Sequence, residues 1–246
     1  MFEIPITFKA SEAYIKKNQD IYPIPAKLNI PEWFKKLEHS IEATSVKGCI
    51  PFLDSLTAGY ILKIPTDYMI EHNTIVDGKK ATGFVTPLHR EEIGKNFNLN
   101  YHGEKQMHPE YQVQGSPMLK KNMNQPIHKI LNPWMIETPP GYSCLFLPPM
   151  NNSDDRFSII PAIVDTDKFK MEVNFPIIIN GDKYKSLKTT IERGTPYVQI
   201  IPFKRQSWKM KIKPSDVKER ELDGFFYRKH IINTYKKIIW SKKIWK

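Results

Sequence analysis

Residues 142–203 read YSCLFLPPMNNSDDRFSIIPAIVDTDKFKMEVNFPIIINGDKYKSLKTTIERGTPYVQIIPF, and this stretch decides the fold. It contains five runs rich in branched and aromatic residues: Tyr142 to Leu147, Phe157 to Val164, Lys170 to Ile179, Leu187 to Ile191 and Tyr197 to Phe203. Such residues fit a pleated surface. The separators PPMNNSDD, DTDK, NGDK and ERGTP hold the Pro, Asn, Asp and Gly that turns require. Short strands at this spacing predict an all-β sandwich or barrel, not a parallel α/β sheet.

Working towards the N-terminus, Ile70 to Thr86 predicts a hairpin, because EHNTIV and KKATGFVT flank Asp77-Gly78, a pair suited to a tight turn. The polar stretch from His89 to Asn132 has weak periodicity and predicts an irregular excursion. In TSVKGCIPFLDSLTAGYILKIP (44–65) the end reads as a strand stopped by Pro65. Asp54, Ser55 and Thr57 precede that strand as turn and capping groups, with Asp54 and Thr57 kept as ligand-binding candidates. Pro31-Glu32 predicts a short helix start with Asn29 as cap, and Trp33, Phe34 and Leu37 as its docking face. Cys49 and Cys144 lie in apolar runs and are expected to be buried thiols.

The chain has 37 Lys and Arg against 26 Asp and Glu, a net charge of +11. Fourteen Lys or Arg and four acids leave +10 between Lys204 and Lys246, so the first 203 residues carry only +1. The basic character belongs to the tail, and with it any polyanionic partner. Ser215 and Asp216 are candidate caps, and Ile231, Ile232, Tyr235, Ile238, Ile239 and Trp245 recur near helical spacing. An amphipathic helix is therefore expected from about Asp223 to the end. Lys236, Lys237, Lys242 and Lys243, with Trp240 and Trp245, form its candidate nucleic-acid or partner surface; the alternative is that the aromatics pack onto the body. The organisation expected is a mainly β body (1–203) with a Pro-rich arm (1–43), followed by a basic helical tail (204–246). No run is apolar enough to span a bilayer and Met1 to Ala10 lacks a secretory pattern, so no membrane partner and no secretion are expected.

Phosphate-loop, dinucleotide, zinc-protease, paired-cysteine and nucleophile-elbow motifs are missing. Asp154, Asp155, Asp165 and Asp167 are the acidic concentration of the β-rich half: carboxylates able to hold Mg²⁺ or activate a water, or else turn residues.

Two resemblances add to this reading. Pro139-Pro140-Gly141-Tyr142, Ala162-Ile163-Val164-Asp165-Thr166-Asp167 and Gly194-Thr195-Pro196-Tyr197-Val198-Gln199 stand in an order that resembles the β-clip of trimeric dUTPases and dCTP deaminases. That resemblance implies a β-clip-like fold over 138–203 and a trimer. It implies ligand-binding roles for Tyr142, Asp165 and Gln199, with Asp165 and Asp167 as catalytic candidates, and Mg²⁺ with a nucleotide. The family's phosphate-binding Pro-Arg-Ser-Gly is replaced by Pro148-Pro149-Met150-Asn151, and no glycine-rich clamp ends the chain.

Most of the length resembles an uncharacterised family of tailed-phage and bacterial proteins, through Gly48-Cys49-Ile50-Pro51-Phe52-Leu53-Asp54-Ser55-Leu56-Thr57-Ala58-Gly59-Tyr60, Val164-Asp165-Thr166-Asp167 and Arg193-Gly194-Thr195-Pro196 with Gln199-Ile200-Ile201-Pro202-Phe203. This implies a phage protein in host cytoplasm or virion, with other phage proteins as partners.

The fold class expected is mainly β, a β-clip-like or jelly-roll-like sandwich or barrel with a C-terminal amphipathic helix. The function expected is a non-enzymatic structural or partner-binding role. The alternatives are nucleotide binding or modification on a β-clip, and nucleic-acid binding through the tail.

Overall fold

The computed structural model describes residues 3–40, 44–72, 74–76, 79–81, 84–87, 107–117, 127–215, 217, 218, 224 and 235–246. Its elements in chain order are β1 (Thr7–Lys9), α1 (Glu12–Lys17), β2 (Ile24–Pro25), α2 (Glu32–Lys36), α3 (Ile50–Thr57), β3 (Tyr60–Lys63), β4 (Tyr68–His72), β5 (Thr74–Val76), β6 (Lys79–Ala81), β7 (Phe84–Pro87), β8 (Met107–His108), β9 (Ile127–Ile130), β10 (Met135–Glu137), β11 (Tyr142–Leu147), β12 (Phe157–Ile159), β13 (Ala162–Val164), β14 (Phe175–Ile179), β15 (Leu187–Ile191) and β16 (Pro196–Lys204). The protein is mainly β. Its larger sheets run β13-β11-β16-β3-β2, β12-β14-β9-β8 and β15-β4-β7, and among the described residues none closes into a barrel. No described helix is long and apolar enough to cross a membrane.

β16 is the hub, with β11 on one side from Gln199 to Lys204 and β3 on the other from Pro196 to Ile200. Beyond Ile200 only β11 pairs with it among the described residues, and Pro202, which has no N–H to give, falls in that one-sided part. Alternation along β11 sends Cys144 and Phe146 into the core, both fully buried, and leaves Leu145 and Leu147 half-buried on the opposite face. Phe146 and Tyr197 meet Phe175 of β14 at ring-centroid distances of 5.4 and 5.6 Å, which joins the five-stranded sheet to the four-stranded one. Tyr14 and Tyr22 both pack edge-on against Trp134, bringing the N-terminal arm into the same core.

The hairpin is as expected: β5 pairs with β6 and β4 with β7, while Asp77-Gly78 lies outside the described residues. Other boundaries differ. The run from Phe157 to Val164 splits into β12 and β13, in different sheets, because Ile160-Pro161 breaks it. The run from Lys170 starts pairing as a strand only at Phe175. Asp54, Ser55 and Thr57 lie on α3 and not in a turn; Pro51 sits in the first turn of that helix, where its missing N–H costs no bond. Cys49 is the N-cap of α3 and is exposed, so only Cys144 is a buried thiol. Pro31, not Asn29, occupies the N-cap of α2. There Phe34 is buried and stacks on Phe52 of α3, Trp33 packs edge-on against the same ring, and Leu37 is the C-cap.

In the tail, Val217, Lys218 and Gly224 are helical and Tyr235–Ile239 forms one π-helical turn. Residues 240–246 carry no helix, so helical structure stops short of the chain end; Asp216 and residues 225–234 lie outside the described residues. The last segment instead meets side chains of the body, and such anchoring overrides a short helix's weak intrinsic preference.

Candidate functional site

The aspartates singled out by the sequence form two separate groups, each neutralised by protein cations. Asp154 accepts from the backbone N–H and guanidinium of Arg156. Asp155 takes the Lys183 ammonium and the Tyr184 hydroxyl, which donates at 3.0 Å. Among the described residues no group of three or more His, Cys, Asp or Glu is placed to hold a metal ion.

Asp165 and Asp167 come together at the foot of β11. Val164 ends β13, and the chain turns at once, with the Asp165 carbonyl accepting from the Lys168 and Phe169 N–H groups at 2.9 Å. The turn aims both carboxylates at the root of the tail. Arg205 donates to both oxygens of Asp167, Nη1 to Oδ1 at 2.8 Å and Nη2 to Oδ2 at 2.5 Å. The same Nη1 lies 3.2 Å from Asp165 Oδ1 and donates to the Ser143 hydroxyl at 2.9 Å. Ser143 in turn donates to Asp165 Oδ1 at 2.6 Å.

Gly141, at φ +87°, donates its N–H to Asp167 Oδ2 and accepts the Arg205 N–H on its carbonyl, each at 2.8 Å. The Arg205 guanidinium beside Asp167 holds that carboxyl well below the usual carboxylate range, and the Gly141 N–H adds to the effect. Under this knot, the hydroxyls of Thr138 and Thr166 lie 2.7 Å apart and Thr166 donates to the Cys144 sulfur. Burial pushes the Cys144 thiol up to about 11, which leaves it protonated and unreactive at neutral pH.

Gln199 is buried at 1% exposure, and its amide is spent on backbone. Nε2 donates to the carbonyls of Ser55 and Ala58 at 2.9 and 2.7 Å, and Oε1 accepts from the Met150 N–H at 2.8 Å. Beside it, a side chain in place of Gly59 would put its Cβ 1.9 Å from the Ile200 carbonyl oxygen. Ile64 N–H donates to the Thr195 carbonyl, and Gly194 N–H to the Ile64 carbonyl, both at 2.8 Å. The two longest motifs of the sequence thus pack against each other, Gly59 and Gln199 being what their close approach requires. Thr57 turns its hydroxyl back to the Leu53 carbonyl at 3.0 Å. Tyr142 stands next to the knot and gives its carbonyl to Thr138 and Arg205.

Asp54 lies apart from that knot. Its carboxylate accepts the Trp240 indole N–H at 3.0 and 3.1 Å and the Lys243 ammonium at 2.6 Å. Trp245 packs edge-on against Tyr60 at 6.1 Å, and Lys246 pairs with Glu3. Trp240, Lys243 and Trp245 thus fasten the chain end to the body, whereas Lys236, Lys237 and Lys242 are exposed.

The structure brings Asp165, Asp167 and Tyr142 together and places Gln199 and Thr57 around α3. Sequence reasoning missed Arg205, Ser143, Thr138 and Thr166. Arg205 reads as one more cation of a basic tail; only its position directly after β16, level with Tyr142, gives it away. A scan against protein-family models finds no match to this chain, and a search of curated proteins finds none either.

Proposed function

We propose that this chain is a non-enzymatic, phage-type structural or partner-binding protein whose β body presents a basic C-terminal arm. The observation that carries this reading is the role of Arg205. The first residue after β16 fills the space between the two catalytic candidates, pairs with both, and thereby fixes the root of the arm. A carboxylate already bonded to a guanidinium and a hydroxyl is a poor base for activating water. Gln199, the other residue carried over from the nucleotide-enzyme resemblance, has no amide group left over for a base or sugar.

The rival reading, a nucleotide site around Asp165, draws on the half-exposed side chain of that residue. A thermal-shift screen against nucleoside mono-, di- and triphosphates and cyclic nucleotides with Mg²⁺, run beside Asp165→Ala, separates the two. The expected result is no shift with any nucleotide. A rise in the wild type that disappears in Asp165→Ala overturns the reading.

A further inference from the structure

Residues 206–213 read Gln-Ser-Trp-Lys-Met-Lys-Ile-Lys, with Pro214 following. Trp208, Met210 and Ile212 alternate with Lys209, Lys211 and Lys213, the period of a strand with one apolar and one charged face. Yet the three apolar side chains are 88%, 83% and 87% exposed. The segment forms no helix, strand or turn, and no hydrogen bond joins it to another described residue. Three large exposed apolar groups at every second position, which an extended strand would place on one side, form a surface that wants a partner.

A matching surface stands open on the body. Ile163, Leu145 and Ile201 face one another across β13, β11 and β16, so they share one face of the sheet. Phe203, two residues beyond Ile201, lies on that face too. Ile163 is 64% and Phe203 36% exposed, and Leu145 and Ile201 are half-buried between them. β13 is also the last strand of its sheet, with one edge unpaired among the described residues.

We infer that the arm of one copy adds to the β13 edge of a second copy of this chain, setting Trp208, Met210 and Ile212 beside Ile163 so that they extend the apolar face of β13, β11 and β16 while the lysines remain in water. The connectivity argues for a second copy. Both β13 and β16 run antiparallel to β11, so they point the same way, and the arm leaves at the end of the sheet where β13 also ends. To reach its own β13 the chain would have to reverse direction and cross β11 within Gln206-Ser207, and those residues make no turn. Another copy offers the same edge without a reversal. Strand addition supplies backbone bonds, and the apolar face supplies register. This inference rests on the partner-binding reading and names the partner.

Sedimentation velocity of the full chain over a range of concentrations, at low and at high salt, tests it. The wild type is expected to associate, more strongly at high salt, because the lysine-bearing arms repel when unscreened. Trp208→Ser/Met210→Ser/Ile212→Ser and, separately, Ile163→Lys are expected to sediment as the 28.8 kDa monomer with unfolding midpoints unchanged under dilute conditions. A wild type that stays monomeric throughout, or an oligomer that survives both variants, overturns the inference. So does a monomer that binds single-stranded DNA, more weakly at high salt and not after Lys209→Gln/Lys211→Gln/Lys213→Gln, which makes the arm a nucleic-acid strand. None of these outcomes bears on the nucleotide screen, so the two readings fail separately.

Discussion

β16 and the arm that continues it are one run of chain with two fates. Over Pro196–Lys204 the strand has β11 and β3 beside it, its inward side chains Val198 and Ile200 are fully buried, and even the one polar group turned the other way, Gln199, is satisfied. Four residues beyond its end the alternation is more regular, yet Trp208, Met210 and Ile212 stand in solvent. A period of two specifies which side chains share a face. It does not supply the neighbouring strand whose hydrogen bonds and cover make that face worth forming. Between the two lies Arg205, bonded to Asp165 and Asp167, where the body ends and the arm begins.

Substitutions on either side of that boundary should differ sharply in cost. The largest effect belongs to the sheet interior: Phe146→Ala removes a fully buried ring packed against Phe175 and should destabilise the fold by about 3–5 kcal/mol in urea unfolding. Gln199→Leu keeps the volume but strands the Ser55 and Ala58 carbonyls and the Met150 N–H, for a loss of about 1–3 kcal/mol per group left unpaired.

Arg205→Met, at the boundary itself, should act through pH. Asp167 is depressed in the folded state by Arg205, so its contribution is complete above the ordinary carboxylate pKa, near pH 4, and fades as pH falls towards the folded value. The wild type should therefore exceed the variant in stability at neutral pH and converge with it in acid. Asp20 and Glu137 are also depressed, but by Arg193 and by Lys9 and Lys170, and they cancel in the comparison. Where Asp54 fastens the chain end to the body, Trp240→Ala should cost about 1 kcal/mol or less, since Asp54 and Lys243 are partly solvated, and should show as faster proteolysis of the chain end. The smallest effect is expected in the arm, where Trp208→Ser should leave monomer stability within about 0.5 kcal/mol.

The strands legible in the sequence are those with a local signature. β11, β15 and β16 alternate between turn residues, and β4 to β7 flank a turn pair. What needed a partner was not legible. The apolar run 44–65 hides α3 because an eight-residue helix packed on Phe34 and roofing Gln199 is apolar on most sides, although Pro51 marks its first turn. The helical spacing of the tail's isoleucines does not carry helix to the chain end, because the indole of Trp240 is held by Asp54, 186 residues away. For the candidate site, Asp165 and Asp167 were within reach of motif reading because a local turn sets them side by side, and Tyr142 because it follows Pro139-Pro140-Gly141 at the start of β11. Arg205 was not, because only the register of β16 on β11 decides which tail cation meets them.

Hydrogen exchange on peptides covering 196–204 and 206–215 tests the central claim most directly, comparing the strand with its continuation in one experiment. In dilute protein, β16 should be strongly protected and the arm should exchange as fast as an unstructured peptide, with protection appearing in the arm as concentration rises. Arm amides protected as well as those of β16 at every dilution would contradict the account, since the arm would then be a paired strand of its own chain.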